Sequence, residues 1–264
     1  MTALSVVIPC HDRARLLGGC LDSLSATPTA EVIVVDAASP GTDVQAVAEH
    51  YGAHYVRQEA RGASAARNAG ARQASCPHLA FLDDDCRVLP DWAEFVVAAL
   101  QELDAVCGRV EAHGPGHLSV LTDPSASDYG LSTPVAALGH GANLAVRAEA
   151  FAAVGGWDET LGPGTAVPGG EDKELLVRLL CKGFRVGYRP EPAVEHVQWR
   201  NRRQVLRAEL GYARGSGALA ARGLAVGGAR DELRTAVRDL RHGYQLGAVA
   251  GLLRAVGIVW GRRT

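Results

Sequence analysis

The stretch Leu79-Ala80-Phe81-Leu82-Asp83-Asp84-Asp85 runs from four apolar residues directly into three adjacent carboxylates. A short apolar run bounded by polar residues is typical of a buried strand, which would place the three acids at its carboxyl end. Asp83 and Asp85 stand two residues apart, and two such carboxylates can share one hard cation. A solvated acidic turn would give the same pattern. Both alternatives predict that Asp85 faces solvent and contributes little to packing.

Apolar runs and helical patterns alternate on both sides of this stretch. The predicted strands are residues 4–8, 31–35, 54–56 and 79–82, and the predicted helices are residues 13–24, 42–51, 62–75 and 90–100. This alternation predicts an α/β fold with a parallel sheet that is covered by helices on both faces. Ligands bind beyond the carboxyl ends of the strands in such sheets. Asp36 follows the second predicted strand as Asp83 follows the fourth, so both acids are expected at that edge.

The second half of the chain is less regular. Residues 114–141 are rich in Gly, Pro, Ser and Thr, which indicates a long surface excursion and a candidate substrate loop. A helix over residues 171–183 and strands at 184–188 and 193–194 follow. The pattern from Trp199 onward is helical, with a predicted interruption at a glycine-rich patch that comprises Gly211, Gly215, Gly217, Gly223, Gly227 and Gly228.

The predicted helix over residues 171–183 begins with two acids, Glu171 and Asp172. Negative charge is favourable at a helix N-terminus, so simple capping would explain both residues. A carboxylate general base at the mouth of a helix is the functional alternative. His196 also has two interpretations, since a lone histidine after a strand is more often structural than a metal ligand.

Composition limits the class of protein. The 264 residues suffice for one large α/β domain. The six cysteines form no C-x-x-C pair, which argues against a zinc ribbon or a disulfide scaffold and indicates the reduced thiols of a cytoplasmic protein. The N-terminal residues lack a basic region and a cleavage site, so no secretory signal is predicted.

The net charge of −2 conceals an asymmetry. Residues 1–196 carry a net charge of −11 and residues 197–264 a net charge of +9. A basic tail of this kind indicates an anionic partner such as a membrane surface, or a tail that packs on the acidic body. No nucleic-acid partner is expected.

Residues 245–261 are almost wholly apolar and are interrupted by Arg254. Seventeen residues are at the lower limit for crossing a bilayer of about 30 Å. The central arginine favours a helix that lies on the membrane interface at the inner face. A helix docked on the domain or on a second subunit is the alternative.

Taken together and in this order, several segments resemble the family-2 glycosyltransferases, whose fold is GT-A. The matching segments are residues 5–13, 32–39, 61–70, 81–85, 141–143, 154–159 and 170–178. The resemblance covers roughly residues 4–200 and is specific as a combination. In contrast, no G-x-G-x-x-G follows the first strand, which disfavours a classical dinucleotide-binding fold.

The resemblance implies transfer of a sugar from a nucleotide-diphosphate sugar to an acceptor hydroxyl, by an inverting single displacement with Asp172 as general base. It implies Mn²⁺ or Mg²⁺ held by Asp83, Asp85 and His196. The residues that it assigns to the nucleotide side are Pro9, His11, Asp36, Arg67, Asp83 and Asp84. A UDP-sugar is the leading donor, although Ala37 stands where the family often has a second acidic or amide residue. A retaining transferase and a non-catalytic sugar-nucleotide-binding subunit remain alternatives.

The predicted architecture is a mostly parallel GT-A domain over residues 1–198 with a basic helical C-terminal extension over 199–264. Residues 1–110 would form the nucleotide-sugar-binding half and residues 111–198 the acceptor-side half. The acceptor classes that we consider are a saccharide, a lipid-linked molecule and a small natural product. Peripheral membrane contact and a homodimer are further expectations.

Overall fold

A computed structural model describes residues 3–27 and 31–221 of the chain. The predicted interfacial helix over residues 245–261 and three glycines of the predicted patch (Gly223, Gly227 and Gly228) lie outside the described residues. Within the described ranges, no helix is both long enough and apolar enough to cross a membrane. All six cysteines are described, and they are free thiols.

The N-terminal half is a parallel α/β unit, as predicted. Its strands lie side by side in the order β3-β2-β1-β4, and every neighbouring pair is parallel. The elements are β1 (Leu4–Cys10), α1 (Ala14–Ser25), β2 (Glu31–Ala37), α2 (Asp43–His50), β3 (His54–Gln58), α3 (Ala63–Gln73) and β4 (His78–Leu82).

The second half completes a mixed sheet. Its elements are β5 (Cys86–Val88), α4 (Trp92–Glu102), β6 (Ala105–His113), β7 (Ser127–Tyr129), a short 3-10 helix (Val135–Ala137), β8 (Asn143–Arg147), α5 (Ala148–Ala153), α6 (Glu171–Cys181), β9 (Val186–Val197) and α7 (Arg202–Ala221). Strand β8 is antiparallel to both β4 and β6, and β9 pairs parallel with β6 and antiparallel with β5 and β7. The sequence analysis did not predict β5, β6, β7 or β8.

The two strands predicted at 184–188 and 193–194 are one strand, β9. Its register against β6 jumps from the pair Gly108–Arg189 to the pair Arg109–Ala193. Pro190 and Pro192 lie in this jump, and the ladder breaks there because proline has no N–H to donate. The strand resumes its pairing afterwards, which carries His196 to the same sheet edge as the acids after β4.

Two apolar layers cover the sheet. Helices α1, α2 and α4 bury one layer, and α3, α5 and α6 bury the other. Helix α3 packs closely on the strands, because a Cβ atom on Gly70 would lie 2.3 Å from Cγ1 of Val7. The small residues predicted for this helix therefore bring its polar members, Arg67 and Asn68, to the edge of the sheet.

Helix α7 continues through Gly211, Gly215 and Gly217, so the interruption predicted there is wrong within the described part of the chain. The glycines serve close packing instead. A Cβ atom on Gly215 would lie 2.3 Å from the carbonyl carbon of Gly169. Residues 114–141 form the predicted excursion, which contains only β7 and the 3-10 helix as regular structure.

Candidate active site

A cavity of about 780 Å³ opens beyond the carboxyl ends of β1 and β4. Both halves of the domain and helix α7 line it. The lining residues used below are Pro9, His11, Arg13, Arg67, Asp83, His117, His140, Glu171, Asp172, His196, Trp199, Arg200, Glu209 and Tyr212. A volume of this size is within the usual range for small-molecule and cofactor sites.

A cluster of candidate metal ligands lies at one end of the cavity. One ligand atom each from Asp83, Asp85 and His196 lies within 4.8 Å of the others. Pairing of β5 with β9 brings them together, because Cys86 is opposite His196 and the N–H of Val197 donates to the Asp85 carbonyl at 2.8 Å. This pairing also brings the two side chains close together, with His196 Nε2 3.4 Å from Asp85 Oδ1.

The donor set of this cluster suits a divalent cation. Two carboxylates and one imidazole are ligands that Mn²⁺ accepts, and the carboxylates also suit Mg²⁺. Arg67 donates to Oδ1 of Asp83 at 2.8 Å, and Trp199 donates to Oδ2 of Asp85 at 2.7 Å. These two contacts engage one oxygen of each carboxylate, so the other oxygen can face a cation.

The expectation that Asp85 faces solvent is wrong, since only 3% of the residue is exposed. Its carboxylate lies 3.4 Å from Arg13 and 3.6 Å from Arg200, besides Trp199. The residues that follow β9 cover the carboxyl end of β4. They bury Asp85, which the sequence pattern predicted to face solvent.

Asp84 is fully buried and does not line the cavity. It is held by Arg13, with Nη2 2.7 Å from Oδ1 and Nε 2.9 Å from Oδ2. Burial raises the pKa of Asp84 to about 7, in spite of the opposing charge of Arg13. Asp84 therefore acts on the site through neighbours that line the cavity, Arg13 among them.

The loops after β1 and β2 form another part of the cavity wall. Pro9, His11 and Ala37 line it, and His11 Nδ1 lies 2.8 Å from the Ala37 carbonyl. The backbone is left-handed at Asp12, with φ +54°, and at Ala38, with φ +60°. Such conformations are costly for residues other than glycine and occur preferentially at functional loops.

Asp36 lies behind this wall and does not line the cavity. Its carboxylate is fully buried and accepts hydrogen bonds from Ser39 N, Tyr55 Oη and Arg57 Nη1 at 2.8, 2.8 and 2.9 Å. Burial opposes ionisation, but these donors outweigh it and lower the pKa of Asp36. The structure therefore places Asp36 as a support of the loop.

Arg67 contacts acids from two parts of the site, Asp83 after β4 and Glu171 in α6. Its Nη2 is 2.8 Å from Asp83 Oδ1 and its Nη1 is 3.4 Å from Glu171 Oε1. The guanidinium also lies 4.7 Å from the ring centroid of Trp157. Burial alone would lower the pKa of Arg67, but the negative charges of Asp83 and Glu171 outweigh burial and raise it.

Asp172 faces the cavity from the first turn of α6, and its side chain is 17% exposed. Its Oδ2 accepts from the N–H of Gly141 at 3.3 Å and lies 3.9 Å from His140 Nδ1. Gly170 is the N-cap and carries no side-chain cap, so Asp172 is not the N-cap residue. Its Oδ1 accepts from the N–H of the next residue, Lys173, at 2.8 Å.

Two titratable neighbours of Asp172 have shifted pKa values. Burial and the charge of Asp172 raise the pKa of Glu171 to about 7. Burial and the positive charge of Lys173 lower the pKa of His140 to about 4. His140 is therefore neutral near pH 7, so it does not form an ion pair with Asp172 at that pH.

The sequence analysis missed several residues of the site. Arg13 lies inside the first matching segment, and Trp199 and Arg200 follow His196 closely, so proximity in sequence is a signal for these three. His140 directly precedes the matching segment 141–143, but the local pattern contains no comparable signal for Glu209 or Tyr212, which line the cavity from α7.

Comparison with known proteins agrees with this geometry. Residues 5–121 match the family described as Glycosyl transferase family 2. Over these residues, which are less than half of its length, the chain is similar to the family 2 glycosyltransferases. The resemblance stated from the motifs is thereby confirmed.

Curated relatives of the chain are named as glycosyltransferases. Validoxylamine A glucosyltransferase of Streptomyces hygroscopicus subsp. jinggangensis is 42% identical over 105 residues, which are 36% of this chain and 25% of that protein. AglE of Haloferax volcanii is 35% identical over 121 residues, which are 41% of this chain and 39% of that protein. The pre-mycofactocin glycosyltransferase of Mycobacterium tuberculosis is 29% identical over 213 residues, which are 73% of this chain and 42% of that protein. The chain thus spans between a quarter and about two fifths of these relatives.

Solved structures share the fold of this chain. TarS of S. aureus, residues 1–349 in complex with UDP-GlcNAc, superposes with a TM-score of 0.62 at 17% identity. The match covers 81% of this chain and 66% of that chain. The predicted α/β fold of GT-A type is confirmed.

Proposed function

We propose that this chain transfers a sugar from a nucleoside-diphosphate sugar to an acceptor hydroxyl, with inversion at the anomeric carbon and with Asp172 as general base. The observation that carries the proposal is one cavity that is lined both by Asp83 and His196 and by Asp172. Donor and acceptor can therefore meet in one chamber. The match of residues 5–121 to a glycosyltransferase family supports the class of reaction.

Asp83, Asp85 and His196 would hold Mn²⁺ or Mg²⁺. When bound, the cation acts as a Lewis acid that neutralises charge on the leaving nucleoside diphosphate. The side chains of Arg13, Arg67 and Arg200 lie at the same end of the site and add fixed positive charge for the diphosphate.

Asp172 would accept the proton of the acceptor hydroxyl as that oxygen attacks the anomeric carbon. The N–H of Gly141 holds one carboxylate oxygen at 3.3 Å, which orients the group toward the cavity. Glu171, the adjacent acid, is buried against Arg67, which makes it the less accessible base of the two.

Pro9, His11 and the loop at Ala37 would bind the nucleoside, with Asp36 supporting that loop from behind. A UDP-sugar is the leading donor, since TarS, which shares the fold, has been solved with UDP-GlcNAc and with UDP. The acceptor remains a saccharide, a lipid-linked molecule or a small natural product.

The test is a screen of UDP-, GDP- and dTDP-sugars for release of the nucleoside diphosphate, with Mn²⁺ and with excess chelator. We expect release from at least one donor, dependent on the cation. The anomeric configuration of a transferred product separates the inverting from the retaining alternative. Binding of nucleotide without release or transfer from any donor would instead indicate a non-catalytic binding subunit.

A further inference from the structure

Helix α7 forms a wall of the cavity although it lies in the predicted C-terminal extension. Glu209, Tyr212 and Ser216 line the cavity from α7, at the spacing i, i+3 and i+7 of one helical face. The position of the helix is fixed, because Gly211 and Gly215 have no room for a Cβ atom against residues 168–170. Asp172 follows this contact by two residues, so α7 lies on the side of the cavity where the proposed base acts.

Glu209 has an unsatisfied oxygen in this wall. The residue is 92% buried, and its Oε1 lies 3.4 Å from Nε2 of His117. Its Oε2 is buried and has no hydrogen-bond partner in the part of the chain that the structure describes. A buried carboxylate oxygen without a donor is costly, and native structures rarely keep one without a function.

The surroundings of Glu209 mix hydroxyl groups with apolar atoms. Tyr212 Oη lies 3.4 Å from Ser119 Oγ, which joins α7 to the loop of residues 117–120. Ser119 is held with φ +56°, a left-handed conformation that needs support from its contacts. Leu118 and Val120 of the same loop add apolar surface to the lining. A ring with several hydroxyl groups has O–H donors at its edge and apolar C–H faces. The polar groups of this wall suit the O–H donors, and its apolar side chains suit the C–H faces.

We infer that Glu209 is an acceptor-binding residue, whose Oε2 accepts a hydrogen bond from a hydroxyl of a polyhydroxylated acceptor such as a sugar or cyclitol. This inference rests on the proposed function and narrows its acceptor class. The bound hydroxyl is a neighbour of the reacting one, which Asp172 serves. Glu209 thereby positions the acceptor and does not touch the donor.

The test measures binding of defined polyols to the full chain with UDP and Mn²⁺ present. The probes are methyl α-D-glucopyranoside and myo-inositol, with glucosamine as an amine-bearing comparison, and saturation-transfer NMR or calorimetry supplies the affinity. We expect Glu209→Ala to weaken polyol binding by about tenfold or more, the loss typical of a hydrogen bond to a charged group. Glu209→Gln retains the shape of the side chain and should lose part of this affinity.

The matched control is Glu191→Ala, which removes an exposed glutamate outside the cavity. Affinity for UDP should be the same in all four proteins, and thermal melting checks that each is folded. Equal polyol affinity in the wild type and in both Glu209 variants would overturn the inference. So would a loss confined to glucosamine, a failure of the wild type to bind any polyol, or a parallel loss of UDP affinity. Failure of the proposed function is a separate result, since it appears as no release of nucleoside diphosphate by the wild type.

Discussion

The indole Nε1 of Trp199 donates a hydrogen bond of 2.7 Å to Oδ2 of Asp85, which lies 114 positions earlier in the chain. The ring of Trp199 also contacts the guanidinium groups of Arg13 and Arg200, at 5.5 and 4.7 Å from its centroid. A residue beyond the predicted boundary at 198 therefore orients a candidate metal ligand. The boundary itself stays a prediction.

Trp199→Phe retains an aromatic face between the two arginines and removes only the N–H donor. Hydrogen bonds to charged groups contribute about 1.5–3 kcal/mol, so we expect a lower melting temperature and weaker Mn²⁺-dependent binding of UDP by about tenfold. Calorimetry measures the binding. Trp157→Phe is the matched control for stability, because the Trp157 indole N–H has no partner among the described residues. Equal losses of stability in both variants would mean that the hydrogen bond to Asp85 contributes nothing.

Asp85→Asn preserves the shape of a candidate metal ligand and removes its charge. We expect Mn²⁺ affinity, measured by titration in the presence of UDP, to fall by at least about tenfold, since even residues around a ligand contribute that much. Excess chelator should abolish nucleoside diphosphate release by the wild type. Asp91→Asn, an exposed acid with φ +61° that asparagine tolerates, is the control. Unchanged Mn²⁺ affinity in Asp85→Asn would refute the metal assignment.

Asp172→Asn keeps the shape of the side chain and one of the two oxygens that accept from Gly141 N–H and Lys173 N–H, but it cannot accept a proton. A general base typically contributes about 10²–10⁴-fold, so we expect kcat to fall by at least about 10²-fold. Affinity for UDP should change little, because the residues proposed to bind the nucleoside, Pro9, His11 and the loop at Ala37, do not include Asp172. Asp43→Asn, an exposed acid in the first turn of α2, is the matched control. A collapse of UDP affinity with kcat preserved would assign Asp172 to binding instead.

The raised pKa of Glu171 predicts that the free energy of unfolding depends on pH. Its pKa is raised from 4.5 to about 7 in the folded chain, so between these values the folded state holds a proton that the unfolded state has lost. The stability that this proton supplies is complete below pH 4.5 and is lost as the pH rises through about 7. Glu171→Gln mimics the protonated group, so its free energy of unfolding should improve relative to the wild type as the pH rises.

The difference between the two proteins isolates Glu171 from other groups. His140, whose pKa is lowered to about 4, makes stability rise with pH between about 4 and 6.5 in both proteins. Denaturant unfolding from about pH 5 to pH 8 measures the difference. Glu149→Gln, with a side chain that is 78% exposed, should show none. A constant difference for Glu171→Gln over this range would contradict the raised pKa.

Gly215→Ala tests the packing of α7. The added methyl would lie 2.3 Å from the carbonyl carbon of Gly169 and 2.7 Å from the N of Gly170. Overpacking of this kind typically costs about 1–3 kcal/mol, so the melting temperature should fall although alanine is the better helix former. Gly18→Ala in α1, where the nearest atom is 3.9 Å away, should be neutral or stabilising. A stabilised Gly215→Ala variant would show that α7 does not pack against residues 169 and 170.

Local sequence determined the N-terminal half of the fold. The apolar runs before Asp36 and Asp83 are continuous, which is what parallel strands buried on both faces require. Each run is separated from the next by one helical pattern, and the structure has all four strands and the helices between them. The acids at the ends of these strands, Asp36 and Asp83, were therefore placed at one edge of the sheet by the sequence alone.

The second half shows where local reasoning fails. Strand β5 has three residues and follows the acidic stretch directly, so no periodicity identifies it, yet its pairing with β9 is what brings His196 to Asp85. Prolines divide β9 into two apparent strands. The glycines of α7 suggested a break because glycine destabilises an isolated helix. In the folded chain, the absence of side chains at Gly211 and Gly215 allows α7 to contact residues 168–170.

The sequence by itself determined which groups carry charge and at which strand and helix ends they stand. Only the tertiary structure decided that Asp84 turns inward to Arg13, that Asp36 supports a loop, and that Glu209 lines the cavity. The physical reason is that strand ends and helix starts are set by neighbours along the chain. The direction and burial of a side chain depend instead on segments that pair or pack from 70 to more than 100 positions away.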